Sequence, residues 1–364
     1  MPADFRLLAG EQIARLEAYK PGKPIEELKR EYSLKRVIKL ASNENPYGTS
    51  PKAAEAIISN LPELSRYPLG DAYNLRMALS EKIGVSPANL LFGAGSNEII
   101  ELLLRTFTHG EDNILFPAPT FSVYAIIAQA MGAASAAVDT APAFEFDTDA
   151  LLKSVTPKTR ILFLASPNNP PGTYMREREL RRLIAELPEN VILAVDAAYA
   201  EFADAADYPD INHWHREYPN IVVLKTFSKA YGLAGLRIGY AIGDEVCIDM
   251  MNKVRQPFNT GSLSQCAACA ALSDTEFLNK VISANLKNKH LLYKEFEKLG
   301  LSYIPSQANF ILVRVGDGER VFLELLKKGV IVRYMGTSLK EYIRISIGTE
   351  EECEILLSSL KEVL

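Results

Sequence analysis

Residues 221–239, IVVLKTFSKAYGLAGLRIG, pass from an apolar run into a loop crowded with polar groups. Its first five residues, 221–225, form a short apolar run bounded by turn formers, the pattern of a buried strand. The loop that follows presents the hydroxyls of Thr226 and Ser228, the amine of Lys229 and, past a glycine-rich turn, the guanidinium of Arg237. Upstream the same kind of run recurs as NILF (113–116), ILFLA (161–165) and VILAV (191–195), and downstream as IGYAI (238–242). Helical patterns separate several of them, notably Asn97 to Thr106 and Arg176 to Leu187. Strands alternating with helices predict an α/β fold with a mostly parallel sheet covered on both faces. Active groups should then collect where the strands end.

The end of the chain reads differently. Phe277 to Leu299 has the pattern of a long amphipathic helix. It precedes FILVRV (310–315), a helix near 319–328, VIVRY (330–334), YIRISI (342–347) and a last helix. This is a smaller α+β unit. The first 44 residues hold Pro21-Gly-Lys-Pro and a short helix, too little for a core of their own. The expected division is an arm at 1–44, a large unit at 45–262 and a small unit at 263–364. The arm should pack on the small unit or on a second subunit.

A chain of 364 residues, 48% hydrophobic and 23% charged, is long enough for roughly two domains without staples. Its net charge of −5 is spread along the chain with no basic block, which argues against nucleic acid as a partner. Four cysteines in so long a chain are no disulfide framework and fit a reducing compartment. The N-terminus has no apolar run of signal-peptide type, and no apolar stretch of about 18 residues exists to span a membrane. The expectation is a soluble, cytoplasmic protein.

Several loops carry groups suited to chemistry. A lysine meant to react as a neutral amine needs burial beside cations, which lowers its pKa. Hydroxyls with one arginine suit a phosphate monoester near Lys229. Asp196 ends the run VILAV, and Tyr199 follows three residues later. A carboxylate there can keep a pyridine nitrogen protonated, although an aspartate at a strand end is also a common cap. Ser166-Pro-Asn-Asn169-Pro-Pro-Gly172 follows the run ILFLA and can aim an Asn amide, or serve simply as a turn. Gly93-Ala-Gly95-Ser96-Asn97-Glu98 opens a helix whose free amides could bind phosphate. The third glycine of a dinucleotide fingerprint is missing from it, since Glu98 stands there. Phe121 could stack on a planar ring or lie in the core. Cys266-Ala-Ala-Cys269 sits in an Ala-rich apolar stretch and reads as packing. His213-Trp-His215 lacks companion ligands and reads as a solvated loop, so no metal site is expected.

Taken in order, Gly-Ser-Asn-Glu, Pro-Thr-Phe, Pro-Asn-Asn-Pro-x-Gly, Asp-x-x-Tyr, Ser-Lys and Arg resemble the fold-type I aminotransferases that use pyridoxal 5'-phosphate. The resemblance covers nearly the whole chain. It implies that Lys229 is the Schiff-base lysine and Asp196 the partner of the pyridine nitrogen. It further implies that Tyr199 and Asn169 contact the ring's 3′ oxygen and that Phe121 stacks on the ring. Gly95, Ser96, Asn97, Thr226, Ser228 and Arg237 would hold the phosphate. Pro171 stands where the family usually has Thr.

Pro21-Gly-Lys-Pro, Leu40-Ala-Ser-Asn-Glu-Asn45-Pro-Tyr-Gly and Arg66-Tyr67-Pro look like the histidinol-phosphate aminotransferase family. That likeness implies a homodimer in which Tyr67 reaches the cofactor phosphate of the neighbouring subunit. It also implies that Asn45, Arg333 and Arg344 bind substrate. The implied reaction moves an amino group from L-histidinol phosphate to 2-oxoglutarate, with Lys229 carrying the proton between substrate and cofactor. An aromatic amino-acid aminotransferase of the same fold and a phosphothreonine-type decarboxylase are the alternatives.

Overall fold

The structure, a computed structural model, describes residues 3–19 and 22–364, so the motif that starts at Pro21 begins outside the described residues. The arm contributes β1 (Ile38–Lys39). The central sheet follows as β2 (Leu90–Gly93), β3 (Asn113–Ala118), β4 (Ala134–Asp139), β5 (Thr159–Ala165), β6 (Ile192–Asp196), β7 (Ile221–Thr226) and β8 (Gly239–Ile242). Their order across the sheet is β2-β8-β7-β6-β5-β3-β4. Only β8 runs against its neighbours. The sheet is mostly parallel, as the alternation of strands and helices predicts.

The unbroken apolar runs have a simple cause. In β5, Leu162 and Leu164 enter the core on one face while Ile161, Phe163 and Ala165 enter the core on the other. Successive side chains point to opposite faces, so a strand covered on both sides needs apolar residues at every position. β4 breaks that rule. Its Ala134, Ser135, Ala136 and Ala137 are exposed at the sheet edge, and small residues without an apolar run carry no strand signature.

The C-terminal unit is an antiparallel sheet in the order β12-β13-β10-β9, built from β9 (Ser302–Ile304), β10 (Phe310–Arg314), β12 (Arg333–Tyr334) and β13 (Tyr342–Ser346). Helices Thr275–Lys298, Gly318–Lys327 and Glu350–Val363 bury Leu292, Phe296, Leu325, Leu356 and Leu360 against it. The run VIVRY does not stay one strand. β11 (Val330–Ile331) pairs in parallel with β1 of the arm, and after Val332 the chain changes partner to β13. Leu28 and Ala41 of the arm pack with Leu326 and Ile331.

Two expectations need correction. The small unit does not begin at residue 263, because helix Ser262–Ser273 places Ala267, Ala268, Ala271 and Leu272 in the core of the large unit. Alanine side chains let it approach helices Pro51–Asn60 and Tyr73–Ile83 closely, and the small unit starts instead with helix Thr275–Lys298. Its Cys266 points Sγ at the Ala56 carbonyl oxygen. The loop around His213 is not solvated: Trp214 and His215 are buried, and the Arg181 guanidinium lies 4.3 Å from the Trp214 ring centre. Among the described residues no cluster of His, Cys, Asp and Glu could hold a metal ion, and no helix is long and apolar enough to cross a membrane.

Candidate active site

One cleft collects the ends of β3, β5, β6 and β7, the start of helix Ser96–Phe107, arm residues 41–44 and the strand pair β12–β13. Lys229 sits at its base, three residues past β7. Its Nζ donates to the Ser42 carbonyl oxygen at 3.1 Å and lies 5.7 Å from the Tyr199 ring centre. Burial, seconded by the charges of Arg344 and Arg237, pushes the amine down to about 8, against the pull of Glu44 and Asp196. A lysine lowered in this way reaches its neutral, nucleophilic form more easily than an exposed one.

Asp196 ends β6 with 5% of its surface exposed. Its Oδ2 accepts from the Tyr124 hydroxyl at 2.8 Å and its Oδ1 from the Ala198 amide at 3.2 Å. Burial raises the carboxyl above its ordinary range, while those two bonds and Lys229 pull it back. A cationic ring nitrogen placed beside it would favour the ionised form further. Tyr124 is absent from the sequence-based set. It lies fully buried in helix Val123–Met131, stacked on Phe163 at 4.8 Å, with Phe121 edge-on at 5.7 Å. A phenol inside a mostly apolar helix usually has a hydrogen-bond partner, and that is the hint the sequence offers.

The phosphate side is built on Gly95, which caps the 12-residue helix Ser96–Phe107 with φ +77°. A Cβ at Gly95 would stand 2.4 Å from Arg237 Nη2, so only glycine lets the arginine close over the helix start. Arg237 Nη1 donates to Ser228 Oγ at 3.4 Å, and the Ser228 amide donates to Thr226 Oγ1 at 3.1 Å. Ser96, Asn97, Thr226, Ser228 and Arg237 all face the cleft. Amides and the positive end of the helix dipole make this a natural anion site.

The opposite wall carries the arginines. Arg333 and Arg344 are direct cross-strand partners on β12 and β13. Like charges so placed repel, and an anion between them relieves the repulsion. Arg344 is buried, donates to Asn169 Oδ1 and to the Ala41 carbonyl oxygen, and packs 5.2 Å from the Phe310 ring centre. Its Nε is buried without a hydrogen-bond partner. An orphaned donor on a buried guanidinium suits an arriving carboxylate or phosphate oxygen.

Two expected residues lie elsewhere. Asn45 turns away, donating to the Ala230 carbonyl oxygen at 3.0 Å and accepting from the Tyr47 amide at 2.9 Å. Asn43 takes the cleft position instead and donates to the Tyr199 hydroxyl at 3.0 Å. The cause is local: Asn43 has φ +54°, a left-handed turn that asparagine tolerates, and Ser346 Oγ bonds both its amide and its side chain. Tyr67 is 82% exposed, stacks on Phe258 at 4.7 Å and lies outside this chain's own cleft.

The donor set fits pyridoxal phosphate. Gly95, Ser96, Asn97, Thr226, Ser228 and Arg237 suit the phosphate, Asp196 the ring nitrogen, Phe121 a ring face, and Lys229 the aldehyde. The sequence pattern of the family described as "Aminotransferase class I and II" matches residues 35–360. Histidinol-phosphate aminotransferase 2 of Methylococcus capsulatus is 44% identical, with 98% of each chain covered. The protein of the same name from Pseudomonas aeruginosa is 43% identical over 100% of this chain and 99% of its own. The crystal structure of histidinol-phosphate aminotransferase from Sinorhizobium meliloti, in complex with pyridoxal-5'-phosphate, superposes with a TM-score of 0.89. It is 27% identical and covers 97% of this chain and 96% of that one. The chain belongs to the class I and II aminotransferase family.

Proposed function

We propose that this enzyme is a pyridoxal-phosphate-dependent histidinol-phosphate aminotransferase, converting L-histidinol phosphate and 2-oxoglutarate to imidazole acetol phosphate and L-glutamate. The observation that carries the reading is the Arg333–Arg344 pair opposite Lys229 in one cleft. Two guanidinium groups answer a phosphate dianion better than a lone carboxylate.

The bound cofactor supplies an electron-withdrawing ring that drains charge from the substrate carbon. The chain's residues do the rest. With the cofactor bound, Lys229 would be the amine that takes and returns the proton of the substrate carbon. Asp196 keeps the ring nitrogen protonated, with Tyr124 holding the carboxylate in place. Tyr199 and Asn169 would hold the ring's 3′ oxygen, with Asn43 orienting the Tyr199 hydroxyl. Arg344 takes the carboxylate of 2-oxoglutarate in the second half-reaction.

An amino-donor screen with 2-oxoglutarate tests this directly: histidinol phosphate should outrun phenylalanine and aspartate. Release of carbon dioxide in place of glutamate would instead mark a decarboxylase. Arg333→Ala should lower kcat/KM for histidinol phosphate by roughly ten- to a hundredfold, the worth of a charge-assisted bond of about 1.5–3 kcal/mol. The loss for phenylalanine, which offers one carboxylate to Arg344, should be smaller. Equal losses would favour a general aromatic aminotransferase.

The same reading makes the enzyme a homodimer with shared active sites. Ile58, Leu61, Leu64, Tyr67, Tyr73 and Phe258 expose apolar surface, and Tyr67 stacks on Phe258. Tyr67 would then reach the partner's cofactor phosphate. Sedimentation should show a species near twice the 40.3 kDa chain mass, and a fully active monomer would defeat the idea. The four cysteines are free, which supports a reducing, cytoplasmic setting.

A further inference from the structure

Lys289 lies in helix Thr275–Lys298 of the small unit with 2% of its surface exposed, far more buried than lysines usually are. Its Nζ donates to the Ser306 carbonyl oxygen at 3.0 Å and to Asp204 Oδ1 of the large unit at 3.2 Å. The contacts continue outward from there. The amides of Asp204 and Ala205 both donate to Gln307 Oε1, at 2.7 and 2.9 Å. The Gln307 amide donates to the Gly172 carbonyl oxygen at 2.8 Å. Gly172, at φ +84°, passes so close to Ser306 that a Cβ there would meet its Oγ at 2.2 Å.

Gly172 closes the turn that presents Asn169. Its amide donates to the Asn168 carbonyl oxygen at 2.7 Å, and the Asn168 amide donates to the Thr173 carbonyl oxygen at 2.6 Å. The fully buried Asn168 side chain extends the tie. It donates to the Pro119 carbonyl oxygen at 3.0 Å and accepts from Thr120 Oγ1 at 2.7 Å, next to Phe121. One buried ammonium therefore stands at the root of a chain of bonds that ends at Asn168, Pro119 and Thr120, the residues that carry Asn169 and Phe121 into the cleft.

We propose that Lys289 is a positioning residue that docks loop 306–307 of the small unit onto turn 168–173, and so sets where Asn169 and Phe121 stand against the cofactor. The inference rests on the reading that these two residues face pyridoxal phosphate. It does not depend on which amino donor the enzyme prefers. An apolar side chain of similar length would fill the space and leave the Ser306 carbonyl and Asp204 unanswered, freeing the loop to shift. Displacement of positioned groups by as little as an ångström can cost about a hundredfold in rate.

The test compares wild-type holoenzyme with Lys289→Met and, independently, Gln307→Ala. Measured are the dissociation constant for pyridoxal phosphate, the pH titration of the bound cofactor's absorption band, and kcat against KM. Both variants should hold the cofactor about tenfold more weakly, titrate at a shifted pH and lose roughly ten- to a hundredfold in kcat, with KM for 2-oxoglutarate little changed. Lys289→Arg, which keeps the charge, should restore part of the affinity. A Lys289→Met enzyme that melts lower but keeps wild-type affinity, band titration and kcat would show a purely structural lysine and overturn the proposal. Should that variant fail to fold, a wild-type signature in Gln307→Ala overturns it equally. The cofactor measurements need no donor, so an error in the substrate assignment leaves this test standing.

Discussion

Lys229→Ala should abolish transamination while the protein still folds and retains some cofactor without a covalent link. The side chain lines the cleft and contributes its donated bond to Ser42 and its contact with the Tyr199 ring, so the fold loses little. The chemistry loses both the amine that attaches the cofactor and the group that moves the proton. Removing a general base alone costs about 10²–10⁴-fold, and the loss of attachment adds to it. Borohydride reduction followed by peptide mapping should label Lys229 in the wild type and no lysine in the variant. Label on another lysine would refute the assignment. The pH dependence follows from the same residue. Attachment to the cofactor-free protein needs the neutral amine, and burial together with Arg344 and Arg237 lowers its pKa to about 8. The attachment rate should therefore rise with pH through about 8 and level off above it, well short of the 10.5 of an ordinary lysine.

The second large effect belongs to Asp196. Asp196→Asn keeps the volume, so the Tyr124 stack on Phe163 has no reason to move. It removes the negative charge that would stabilise a protonated ring nitrogen. Loss of one preorganised electrostatic partner costs about 10²–10³-fold in kcat, and a full charge in a site this buried belongs at the upper end. Single-turnover measurement of proton removal from the donor reads the effect directly. A near-normal rate would mean that another group protonates the ring.

That Lys229, Asp196 and Arg237 come to line a cleft is legible in the sequence, because each owes its place to local order. An apolar run buried on both faces makes a strand, the strand must end, and the residues at its end face the crevice of a parallel sheet. Gly95 is legible for a related reason, since a glycine before a helix marks both a turn and a set of free amides. Features that depend on distant partners were not. Choosing Asn43 over Asn45 depends on Ser346, 303 residues away, which holds the left-handed turn. The hydroxyl that Tyr124 gives Asp196 comes from another layer, 72 residues distant. Helix Ser262–Ser273 has an Ala-rich sequence that packs against either unit equally well on paper, and only its neighbours assign it to the large one. The facing of Arg333 and Arg344 is a matter of register between two short strands. Near-neighbour burial and backbone preference set which elements form and which groups stand at their ends, so both can be read along the chain. Which side chains meet across the cleft depends on the packed molecule, because burial drives the units together without specifying partners, and hydrogen-bond geometry then selects them.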